Sequence, residues 1–201
     1  MKKLKISLLL LISLALMGCG ASMMVKAPSQ DLKAPSSGMA TIVFMRTSFV
    51  AGAIGVELFE TTNGKLKLIG ELSTGTKIAY QTTPGNKVFM TYGTAADFMK
   101  ANVLAGKTYY VIARPNWGTG GFAPTPVRND STSEYNVKSS DFNGWVTDTE
   151  LVVPGPEVAG WLKNEENRKK MDEVYTEYWK RFQTKDSNEV AERTLNPQDG
   201  I

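Results

Sequence analysis

Three patterns of apolar and polar positions follow one another along the chain. Residues 6–17 form an apolar run of 12 positions, preceded by Lys2, Lys3 and Lys5. A spanning helix needs about 20 apolar residues to cross the hydrocarbon of a bilayer. This run is too short for that, and with its basic lead it matches the apolar stretch of a secretory signal peptide. Residues 20–37 are rich in Ala, Ser, Pro and Lys without a period. They read as a tether, which as a flexible coil of that length would span on the order of 25 Å.

From residue 39 to about 127 the period is close to two. Residues 41–45 (Thr-Ile-Val-Phe-Met) are apolar on both faces, as a central strand is. Ile54, Val56 and Leu58 alternate with Gly55, Glu57 and Phe59, and Leu66 and Leu68 alternate with Lys65 and Lys67. Between these runs lies Thr62-Asn63-Gly64, and Asn-Gly between alternating runs is a strong hairpin signal. Further strands are predicted at 77–82, 86–92, 99–104 and 108–114, with Pro84-Gly85 and Ala105-Gly106 as turns. About seven short strands at roughly 8–12-residue spacing predict a mainly β fold, an antiparallel β-sandwich.

Residues 117–148 lose the period and are rich in Gly, Asn, Ser and Thr, so one edge strand at 122–127 and a long loop are expected there. After Pro154-Gly155-Pro156 the period becomes helical. Val158, Trp161 and Leu162 open a stripe that Met171, Val174, Tyr175, Tyr178, Trp179 and Phe182 continue at spacings of three and four. This predicts an amphipathic helix over 156–183, and Asp186-Ser-Asn-Glu189 is the signature of a capping box for a last short helix. The expected organisation is a signal at 1–18, a tether at 19–38, a β-domain at 39–153 and a C-terminal α-helical extension at 154–201.

Leu16-Met17-Gly18-Cys19, closing the apolar run, resembles the lipobox of bacterial lipoproteins. The resemblance implies cleavage after Gly18 and diacylglycerol on the Cys19 sulfur. Two or three acyl chains would hold the protein firmly on a membrane, where one alone is marginal. Gly20, in place of an Asp, implies the periplasmic face of the outer membrane rather than the inner membrane. Farther on, the run 40–46, the Pro84-Gly85 turn and Ala105-Gly106-Lys107-Thr108-Tyr109-Tyr110-Val111 resemble a family of bacterial envelope lipoproteins. Their globular part is a small β-sandwich similar to PEGA-type and carboxypeptidase-regulatory-like modules. The resemblance covers residues 39–127 and carries turn and core positions, so it implies a fold rather than an activity. Where the family often has His or another donor after the Pro-Gly turn, this chain has Asn86.

Composition narrows the chemistry. Without Lys2, Lys3 and Lys5 the 23 basic residues fall to 20, equal to the 20 acidic ones. A neutral mature chain gives no electrostatic reason to bind nucleic acid. The chain has no histidine, and Cys19 is its only cysteine. That excludes His-based triads, Cys–His pairs and His metal sites from within this chain, and no metal or cofactor is expected. Gly106-Lys107-Thr108 lacks the earlier glycine of a phosphate-binding loop, since position 101 is Ala, so no nucleotide is expected.

Carboxylates are the remaining catalytic device. Glu57, Glu60, Asp97, Asp141 and Asp148 are scattered, however, and glycan hydrolysis needs two about 5–10 Å apart. Candidate contact residues are the aromatics of polar, glycine-rich stretches, Trp117, Phe122 and Trp145, and the helical stripe Tyr175, Tyr178, Trp179 and Phe182. The expectation is a lipid-anchored, non-catalytic binding or structural module that meets another envelope component. The alternatives are a carboxylate-dependent cell-wall enzyme, or an accessory subunit of a secretion or appendage machine.

Overall fold

The computed structural model describes residues 23–201; the signal segment, Leu16, Gly18 and Cys19 lie outside the described residues. Eleven strands form two mixed sheets among the described residues. The first sheet, in spatial order, holds β1 (Met24–Lys26), β10 (Glu150–Pro154), β5 (Thr76–Thr82), β2 (Ala40–Arg46), β8 (Thr108–Asn116) and β9 (Gly121–Pro126). The second holds β11 (Thr194–Leu195), β7 (Ala96–Val103), β6 (Gly85–Tyr92), β3 (Val56–Glu60) and β4 (Lys67–Leu72). The helices are α1 (Ser140–Thr147), α2 (Pro156–Trp161), α3 (Glu165–Gln183) and α4 (Ser187–Glu192).

Side-chain alternation divides the apolar residues between an inner core and two outer ones. On β2, Ile42 and Phe44 face the second sheet while Val43 and Met45 face outward; on β8, Tyr109 and Val111 face in, Tyr110 and Ile112 out. On β7, Met99 and Val103 point inward and Phe98 outward. Such strands are apolar on both faces because both faces are covered. The aromatic stripe of α3 covers the second sheet, where Phe98 meets Tyr175, Trp179 and Phe182 at centroid distances of 5.8, 5.0 and 5.7 Å. On the first sheet, Phe142 and Trp145 of α1 sit with Tyr135 over Tyr110.

The structure departs from the sequence expectations in four places. Eleven strands replace about seven, and the sheets are not purely antiparallel. Strand β2 runs parallel to β8 from Thr41↔Thr108 to Met45↔Ile112, and β10–β5 and β11–β7 are also parallel. The chain crosses to the second sheet after β2, builds β3, β4, β6 and β7 there with β5 between them in the first, and re-enters beside β2 in the same direction. Local turn signals specify only neighbouring antiparallel pairs, so this pairing has no local trace.

The predicted helix over 156–183 is two helices. Asn164 accepts hydrogen bonds from the backbone N–H of Glu166 and Asn167 and starts α3 afresh, while the Lys163 N–H donates back to Gly160. The predicted long loop contains α1.

The described part of the expected tether is packed onto the domain. Met23 and Met24 are buried, and β1 pairs with β10. Bare Gly70 makes room for the Met24 thioether, which lies where a Cβ at that position would be. The Gln30 amide donates to the Leu151 carbonyl and accepts from the Leu151 N–H, extending the pairing by a side chain.

Candidate functional site

The expected contact residues do not converge. Phe122 is buried, with the Arg46 guanidinium 4.4 Å above its ring. Trp145 covers the first sheet, and Tyr175, Tyr178, Trp179 and Phe182 cover the second. Only Trp117, at the β8–β9 hairpin tip, is open to solvent, 81% exposed. Phe49, on the β2–β3 loop at the same end of the sheets, is equally open at 86%.

The carboxylates are likewise dispersed. Asp141 and Asp148 flank α1 and are exposed, and Glu60 accepts from Thr62 and Tyr80. Asp97 is buried, accepting from the Phe98 N–H at 2.8 Å and from Asn116 Nδ2 at 2.9 Å. Glu57 stands opposite Glu71 across β3–β4. Burial pushes the Glu57 carboxyl up to about 7, assisted by the Glu71 charge and opposed by its own backbone hydrogen bond and Lys170. Glu71 is raised by burial in the same way, with Arg46 pulling it down. Among the described residues no group of three or more His, Cys, Asp or Glu could hold a metal ion, and no helix is long and apolar enough to cross a membrane.

A polar cavity of about 650 Å³ lies elsewhere. Three distant stretches build it: the β8–β9 hairpin, the loop that follows β9, and the C-terminal segment around α4 and β11. Arg128 locks these together. Its guanidinium donates to the Asp199 carboxylate at 2.8 Å and to the carbonyls of Thr194 and Ala191 at 2.6 and 2.8 Å. Arg114 leans over the Tyr135 ring, 5.8 Å from its centroid, and donates from Nε to Thr125. Arg193 is 7% exposed, and its Nε lies 3.5 Å from Asp97 Oδ2 without a hydrogen bond. The acidic wall residues Asp130, Glu134 and Glu192 are exposed at the rim.

Sequence reasoning did not single out any of these arginines. They stand far apart in sequence, Arg114 at the end of an apolar strand and Arg128 and Arg193 in polar stretches, with no spacing that a helix or strand face would make regular. Comparison of the chain with protein-family models finds no match, and comparison with curated proteins finds none either. The cavity is therefore read from its own chemistry.

Proposed function

We propose that the protein is a lipid-anchored module of the bacterial cell envelope that binds another envelope component without catalysing a reaction. In this reading the two packed sheets are the β-sandwich of an envelope lipoprotein, and the acyl chains on Cys19 are the contact with the membrane. The periplasmic face of the outer membrane is its place, and neither nucleic acid nor nucleotide is its ligand. The observation that carries the reading is the sequence Leu16-Met17-Gly18-Cys19 at the end of a short apolar run.

The fold adds a consequence for how such an anchor would work. Met23 is buried only four positions after Cys19. A fully extended chain covers at most about 3.3–3.6 Å per residue, so the lipid would lie within roughly 14 Å of packed structure. The domain would then rest against the bilayer surface instead of swinging on a coil of twenty residues. Metabolic labelling with palmitate tests the anchor. The wild-type chain should take up label and fractionate with membranes, and Cys19→Ser should do neither; label retained by Cys19→Ser would refute the assignment.

A further inference from the structure

Arg193 is a buried cation that forms an ion pair with Asp97 but makes no side-chain hydrogen bond among the described residues. Its Nε–H is enclosed and donates to no acceptor, and both oxygens of the nearby Asp97 already accept from Phe98 and Asn116. Taking a charged polar group out of water without a hydrogen bond is costly, and an unsatisfied buried donor calls for a specific explanation. Arg114 stands on another wall of the same cavity. Its Nε is committed to Thr125, and its terminal nitrogens make no hydrogen bond among the described residues.

Tyr135 lies within the field of both. Burial and the adjacent Glu134 hold its phenol above the ordinary value, while the charges of Arg114 and Arg193 pull it down. The phenol therefore stays protonated at neutral pH, and its hydroxyl is engaged in a side-chain hydrogen bond with Glu134. The opposing charge nearest Arg193 is Asp97, its ion-pair partner at 3.5 Å. Asp199 is paired with Arg128, and Asp130, Glu134 and Glu192 face solvent, where salt screens them over about 8–10 Å. A buried guanidinium is screened far less.

The geometry points to this cavity as a binding site for an oxyanion, a carboxylate or phosphate group of a larger polar ligand, met by the guanidinium groups of Arg193 and Arg114 on its wall. Guanidinium groups suit this task because their planar forks match two oxygens at once. A volume of about 650 Å³ exceeds what a bare anion needs and falls in the range of small-molecule sites. Thr132, Ser133, Asn196 and Gln198 would offer the rest of the ligand hydroxyl and amide partners. The assignment rests on the reading of a binding module and is independent of the anchor. A chain that is acylated yet binds no oxyanion would remove this site alone.

Calorimetric titration of the full chain in non-ionic detergent tests it, with inorganic phosphate and acetate in separate arms at an ionic strength fixed by sodium chloride. Saturable binding of at least one anion is expected; phosphate alone would assign a phosphoryl group and acetate alone a carboxylate. Arg193→Gln and Arg114→Gln should each weaken that binding about tenfold or more, the effect of losing a charge-assisted hydrogen bond. Arg114 is only half-buried, so its variant should melt like the wild type and keep the test valid if Arg193→Gln folds poorly. Absence of saturable binding of either anion, or binding unchanged in a folded Arg114→Gln, would overturn the assignment.

Discussion

Arg46 and Arg193 are both buried, and they differ in what surrounds their N–H groups. Arg46 ends β2 beneath the loop that leads to β3 and is wholly inaccessible. One terminal nitrogen donates to the carbonyls of Ile54 and Leu72, the other to those of Val50 and Ala51, and only its Nε is unpaired. Its guanidinium also lies on the Phe122 ring. Around Arg193 there is one carboxylate at ion-pair distance, which also accepts from Phe98 and Asn116, and a cavity. Burial of a cation thus says little by itself. The arginine whose donors meet the protein's own backbone organises a loop, and the arginine that has an ion pair but no hydrogen bond is the one proposed to meet a ligand.

The largest effect should follow from breaking the first of these sites. Arg46→Met keeps the length and apolar stem but leaves the buried Leu72 carbonyl and three part-buried loop carbonyls without their donor, the buried one alone costing about 1–3 kcal/mol. Chemical denaturation should show a loss of at least about 3 kcal/mol. A variant within 1 kcal/mol of wild type would mean that the loop solvates its own carbonyls, and the contrast with Arg193 would fail.

The next effect comes from Glu57, a part-buried carboxyl whose charge its backbone hydrogen bond and Lys170 compensate only in part. Its carboxyl titrates near 7 in the folded chain and near 4.5 when unfolded, so between these values the native state binds the proton and the unfolded state does not. Stability from this group is therefore fully present below about pH 4.5 and is lost as pH rises through 7. The difference between these values corresponds to at most roughly 3–4 kcal/mol. Denaturation at a series of pH values should show that decline in the wild type, and Glu57→Gln should flatten it. A wild-type curve that rises from pH 5 to 7 and is unchanged in Glu57→Gln would show that the carboxyl is solvated.

Much of the fold was legible because local rules governed it. Residues 41–45, apolar on both faces, became a strand covered on both sides, and Asn63 and Gly64 take the positive φ values of 59° and 71° that an Asn-Gly turn requires. Asp186 and Glu189 form the reciprocal capping bonds that their spacing predicts. What could not be read was set by distant parts of the chain. Parallel pairing of β2 with β8 joins residues more than sixty positions apart. The α1 helix carries Asn143 and Gly144, poor helix formers that disguise it as loop, and gains its stability from packing Phe142 on Tyr110. Met24 reads as linker until Gly70 and β10 are beside it. The arginine cavity belongs to the same class, since its walls come from residues 114, 128 and 193 and have meaning only once folded.

The proposed anchor is the one functional element written wholly in local sequence, and its chemistry can be weighed directly. Intact-mass spectrometry of the chain extracted from native membranes is the most direct measurement. The account predicts a protein that begins at Cys19 and carries the added mass of acyl chains on that residue. An unmodified chain that begins at Met1, or one cut elsewhere with a free Cys19 thiol, would contradict it.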